Sequence, residues 1–233
     1  MSKNVAAVLR LHWMDTRYSF AVFWSTLIAC EMVLFLLVWF FAGGVVMFSG
    51  WLAVYVFALI GGAVTMNSTF PVAVGWSVPR KDVYVATMIH YVLACLALAV
   101  IYMIMYSVEK GMMSLLVGGR FHFFTLPGEV EGEPSVWLML WVHFIVAWTL
   151  MAVGHFFGCL YYRFGRFGIF FFIGLSACLM VLLKLFGAWN WIGQLLSVID
   201  SFEEFTLWLV PLNVAVFAAA WLFLRKAPAK KMG

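Results

Sequence analysis

Long apolar stretches separated by short polar ones make up most of this chain. Six of them, 20–42, 51–74, 83–106, 136–161, 168–187 and 207–224, are apolar on every helical face. Each is close to or above the roughly 20 residues with which a helix crosses about 30 Å of hydrocarbon. The short alternating segments of a barrel are absent. The pattern therefore predicts six transmembrane helices, each pairing its own backbone groups as the bilayer requires.

Two flanking stretches have a different period. Near the start, Val5, Val8, Leu9, His12 and Trp13 share one helical face, with Arg10, Asp15 and Arg17 largely off it, which predicts an interfacial helix within 1–19 that feeds the first span. A frayed tail is the simpler alternative. In 188–206, Trp189, Ile192, Leu195, Leu196 and Ile199 recur at three and four residues and predict a short amphipathic helix at the opposite interface.

Composition supports lipid as the solvent. The 233 residues are 66% hydrophobic and 10% charged, with mean hydropathy +1.05, against about 45–50% and about 25% for soluble domains. The stretch 1–17 lacks a small-residue cleavage site and does not read as a removable leader, so the first span is expected to persist. The four cysteines lie within apolar runs without a Cys-x-x-Cys pair or a histidine at ligand spacing, and read as small apolar fillers.

Charge then orients the spans. With a cytoplasmic N-terminus, the inner segments hold Lys3, Arg10, Arg17, Arg80, Lys81, Arg163, Arg166, Arg225, Lys226, Lys230 and Lys231, eleven of the 14 Lys and Arg. The outer segments hold Lys110 and Arg120. This asymmetry predicts both termini in the cytoplasm. The expected organisation is all-α and polytopic: an interfacial segment 1–19, a six-span domain 20–224 and a basic cytoplasmic tail 225–233. Of the outer connections, 43–50 reads as a tight turn and 107–135 as a long, irregular segment.

A few polar residues interrupt the spans. Glu31 falls near mid-bilayer, where a carboxylate costs about 2.5–3.5 kcal/mol on insertion scales. It is expected to face other helices, either in a substrate path or in one interhelical hydrogen bond. Lys184 lies nearer the outer end of its run, and snorkelling to the interface is favoured over contact with Glu31. Asn67, His90 and His155 fall at similar depth, roughly 10 Å from the inner surface. They form either one polar layer or three separately satisfied groups, the second being favoured. No metal site is expected, because no two histidines have helical ligand spacing. Gly154-x-x-x-Gly158 permits close helix approach, and Asn67-Ser68-Thr69 matches a glycosylation sequon inside a span, where it has no meaning. Phosphate-loop, zinc-protease, nucleophile-elbow and dinucleotide motifs are all absent from the sequence.

The turn after the second run, Gly75-Trp76-Ser77-Val78-Pro79-Arg80-Lys81-Asp82, joins two helices in a basic elbow. Gly75 suits a helix end, Ser77 a cap for the next helix and Pro79 its first turn. Here the chain resembles the six-span permease subunits of the ATP-binding-cassette exporters of the type-2 permease class. Those proteins share cytoplasmic termini, an N-terminal interfacial helix, and a Gly, Ser/Thr, Arg, Arg/Lys, Asp/Glu elbow that serves as a coupling helix. They also carry short outer helices before the last span, to which 188–206 is similar. Two features depart from that pattern: the Val78-Pro79 insertion and the long outer segment before the fourth span.

The resemblance implies a chain that is not itself an enzyme. A separate ATPase subunit would supply ATP and Mg, with no cofactor in this chain. A second permease subunit, identical or paralogous, would complete the pathway in the plasma membrane of a bacterial cell, among lipid and without nucleic acid. Two rival classes remain: an intramembrane enzyme, for which Asn67, His90 and His155 are the available groups, and a passive channel or membrane scaffold.

Overall fold

The computed structural model describes residues 2–41, 46–48, 51–116, 121–123, 135–185, 202–225 and 227. It is helical almost throughout: α1 (Lys3–Phe41), α2 (Trp51–Gly75), α3 (Arg80–Leu116), α4 (Val136–Leu185) and α5 (Phe202–Leu224). Two three-residue strands, β1 (Val46–Phe48) and β2 (Phe121–Phe123), pair in parallel with Val46 opposite Phe121. They tie the α1–α2 connection to the α3–α4 connection, a contact between distant segments that an apolar-run pattern does not encode. The expected amphipathic stretch 188–206 lies largely outside the described residues, as does most of the tail 225–233.

Among the described residues, four helices are long and apolar enough to cross a membrane: 52–75, 80–108, 136–185 and 204–224. Several boundaries differ from expectation. α1 continues unbroken from Lys3 to Phe41, so the interfacial segment and the first run form one helix. α3 extends to Leu116, ten residues past the predicted end of its run.

The fourth and fifth runs belong to the 50 residues of α4, which breaks at Gly165. There φ is 68° and ψ is −159°, a conformation open to glycine because it has no Cβ to clash. The break turns the chain back on itself. The Phe172 ring lies 5.3 Å from that of Phe156 and 5.8 Å from that of Phe157, whereas about 16 residues of straight helix would separate them by roughly 24 Å. α4 is thus a hairpin of two arms.

Contacts give the relative helix directions. His12 meets Thr87 and Thr16 meets His90, so α1 and α3 are parallel. Asp15 meets Thr69 while Phe20 meets Phe57, so α2 runs against α1. Tyr55 meets His143 and Phe70 meets Tyr162, so α2 and the first arm of α4 run together. Trp141 meets Thr206 and Arg163 meets Phe223, which adds α5 in the same direction. Six helical segments therefore alternate in direction. Ser2, the α2–α3 turn, the Gly165 break and the end of α5 gather at one end of the bundle.

Packing is tightest between α2 and the first arm of α4. A Cβ on Gly154 would overlap the Leu59 carbonyl oxygen, one on Gly62 would overlap that of Met151, and one on Gly158 would sit 2.7 Å from the Ala63 oxygen. The Gly154-x-x-x-Gly158 spacing thus brings two backbones into contact, as small residues do where lipid and protein are equally apolar. Its complement, Gly62 with Ala63 on α2, does not stand out in an apolar run. Buried Cys95 and Cys159 pack in these clusters as small apolar groups.

Candidate functional site

The elbow departs from its expected capping chemistry. α2 does end at Gly75, but the left-handed residue is Ser77, with φ 60°. Val78 N–H donates to the Ala73 carbonyl at 3.2 Å and Ser77 N–H to that of Val74 at 3.0 Å, the paired bonds of a Schellman end. Ser77 therefore closes α2 and does not cap α3. A non-glycine residue in this region costs on the order of 1–3 kcal/mol. The first α3 bonds run from Asp82 and Val83 N–H to the Pro79 carbonyl at 2.9 and 3.1 Å, so Pro79 occupies the cap position one residue before the helix.

Two neighbours are pinned to this turn. Asp82, in the first turn of α3, where a carboxylate suits the helix dipole, accepts from Ser2 Oγ at 3.3 Å and Asn4 Nδ2 at 3.2 Å. Arg80 Nη1 donates to the carbonyls of Leu224 at 3.1 Å and Arg225 at 3.2 Å. Arg163 adds a bond to the Phe223 carbonyl at 3.3 Å. Two guanidinium groups thus satisfy the orphan carbonyls at the end of α5. Trp76 and Lys81 remain exposed, Trp76 at 62%. A groove of about 490 Å³ runs between Trp76 and the Lys3, Arg10, Leu11 and Met14 side of α1.

Asn67, His90 and His155 do not form one polar cluster. Asn67 is exposed and its amide donates to the Ala63 carbonyl of its own helix at 3.2 Å. His90 Nε2 pairs with Thr16 Oγ1 at 3.1 Å. His155, fully buried, pairs through Nδ1 with Tyr91 Oη at 2.9 Å, and Tyr91 also lies 3.2 Å from the Gly62 carbonyl. One proton arrangement satisfies all three: His155 Nδ1–H donates to Tyr91, whose hydroxyl donates to Gly62. His155 Nε2 is then a buried lone pair without a hydrogen-bond partner. Glu31 is half-buried on α1 and is held in an interaction there. Lys184 is exposed near the end of the second arm of α4.

The structure adds a polar seam along α1 that periodicity alone did not single out. Asp15 Oδ2 accepts from Ser68 Oγ at 2.9 Å and Thr69 Oγ1 at 3.1 Å on α2. His12 Nε2–H donates at 3.1 Å to Thr87, whose hydroxyl in turn donates to Val83. The His12 and His90 rings stack at 4.8 Å with an 8° interplanar angle. Burial pushes the His12 imidazole down to about 3, with His90 and His155 acting in the same direction. Elsewhere, His143 pairs with Tyr55 at 2.7 Å under the Tyr102 ring. One available signal was the i, i+3, i+4 spacing of His12, Asp15 and Thr16. Among the described residues no three His, Cys, Asp or Glu side chains form a metal-binding group.

Comparison with family models, with curated proteins and with solved structures found no match.

Proposed function

We propose that this chain is the transmembrane permease subunit of an ATP-binding-cassette exporter, with six crossings and cytoplasmic termini, working as a dimer with a separate ATPase. The single observation that supports this best is the elbow's connectivity. It joins α2 to α3, holds the start of α1 through Asp82 and grips the end of α5 through Arg80. Force applied there reaches four helices at once, as a coupling element requires. The cation asymmetry favours that end as cytoplasmic, where a soluble ATPase would meet it.

The geometry divides labour within the elbow. Arg80 works internally, as a clamp on α5, while exposed Trp76 and Lys81 and the neighbouring basic groove face outward for a partner. Purification of the full chain in mild detergent from its native cell tests this reading. A stoichiometric ATPase is expected to accompany it, and to be lost with Trp76→Ala plus Lys81→Ala at unchanged melting temperature. Reproducible absence of any ATPase from the unaltered chain would overturn the proposal.

A further inference from the structure

Between α1, α2 and α3 lies a cavity of about 150 Å³ to which the coupling reading gives no role. Its lining grades from polar to apolar in the same direction on all three helices. α1 contributes Asp15, Thr16 and Ser19 before Phe20. α2, running the other way, contributes Phe57 and Ile60 before Thr65. α3 contributes His90 and Tyr91 before Leu98. From His90 to Leu98 the helix rises about 12 Å, so a polar pole on the elbow side faces an apolar pole deeper in the bundle.

The mouth opens sideways. Asp15 and Ser19 are exposed and Ile60 and Val64 are 54% and 51% exposed, whereas Tyr91, Leu98 and Met151 at the back are buried. A lateral opening on the apolar flank of a membrane bundle is reached from the bilayer.

The chemistry of the two poles selects a ligand class. Ser68 and Thr69 are neutral donors that hold the Asp15 carboxylate in place without cancelling its charge. Phe20 and Phe57, 6.2 Å apart in edge-to-face contact, supply aromatic walls, and Phe23 stacks behind Phe57 at 4.2 Å. A carboxylate held in one geometry attracts a cation, and ring faces add cation–π attraction. An anionic head would be repelled by Asp15, and a neutral one would leave its charge uncompensated.

We propose that this cavity binds the ammonium head of an amphiphile that enters from the leaflet on the elbow side. The head lies against Asp15 and the first methylenes run past Phe57 toward Leu98, while the remaining tail stays in lipid. The assignment stands whether or not an ATPase drives the chain.

Calorimetric titration of the full chain in nanodiscs, corrected with empty nanodiscs, tests it with dodecylammonium and its neutral counterpart dodecanol. Saturable one-site binding is expected for dodecylammonium and not for dodecanol. Asp15→Asn, which keeps an acceptor for both hydroxyls, is expected to weaken that binding at least tenfold, and Ser19→Leu, which narrows the mouth, to do the same. Equal saturable binding of dodecanol, or unchanged binding in both variants, would overturn the proposal. Two further arms separate the sources of the ammonium. Competition by butylammonium marks a free amine, and selective retention of phosphatidylethanolamine over phosphatidylglycerol in native mass spectrometry marks a lipid head; either supports the site.

Discussion

α2 is held to α4 and to α1 by opposite means. Against α4 it makes backbone contact at Gly62, Gly154 and Gly158, with no room for a Cβ. Against α1 it is joined through the Asp15 hydroxyl bonds and leaves a cavity. Close packing of backbones admits few arrangements, because any slide brings a side chain into a carbonyl. Interhelical hydrogen bonds in membrane proteins contribute only about 0.6 kcal/mol on average. The α2–α4 pair thus behaves as a frame, whereas α1 meets α2 through side chains, Asp15 on Ser68 and Thr69 and Phe20 and Phe23 on Phe57.

The largest test of that contrast is Gly154→Leu, expected to cost about 3 kcal/mol or to prevent folding, read as loss of a monodisperse peak and a lower melting temperature in detergent. Ser19→Leu on the α1 side is expected to move stability by under about 0.5 kcal/mol. If Gly154→Leu were tolerated as well as Ser19→Leu, the distinction between backbone contact and side-chain contact would fail.

Tyr91 sharpens the comparison because it lines the cavity and also bonds across to Gly62 and His155 on the frame. Tyr91→Phe leaves a buried carbonyl and an imidazole N–H without their partner, and is expected to cost about 1 kcal/mol by thermal unfolding.

A further test lies in pH dependence, at the α1–α3 contact. His12 takes up its proton near 6.5 when unfolded and near 3 when folded. Between those values the unfolded chain binds more protons, so stability is full above about pH 6.5 and falls as pH drops toward 3. His12→Gln is expected to flatten the acid side of a melting-temperature profile; an unchanged slope would show that α1 opens without exposing this ring.

Much of the helical plan was legible because it rests on runs of apolar residues. The boundaries were less so. Nothing in the apolar pattern required α1 to continue from Lys3 through Phe41, since charged residues on a helix facing water and apolar ones facing lipid are each compatible with a break or with continuity. The elbow was found from its basic pair, yet its inner workings were misassigned. Ser77 has the chemistry of an N-cap, but the two bonds closing α2 place it in the left-handed position. The carbonyls that Arg80 meets lie 144 and 145 residues away, beyond what the elbow's own residues encode.

Sequence alone determined the apolar lengths, the gathering of cations and the Gly154-x-x-x-Gly158 face, because these are properties of neighbours along one helix. Tertiary structure decided which polar groups meet: Asp15 with Ser68 across 53 residues, Tyr91 with His155 across 64, and Asn67 with neither histidine. The physical reason is rotation. Each residue turns a helix face by about 100°, so equal depth does not put two side chains on facing sides, and only the packed helices select the faces that touch.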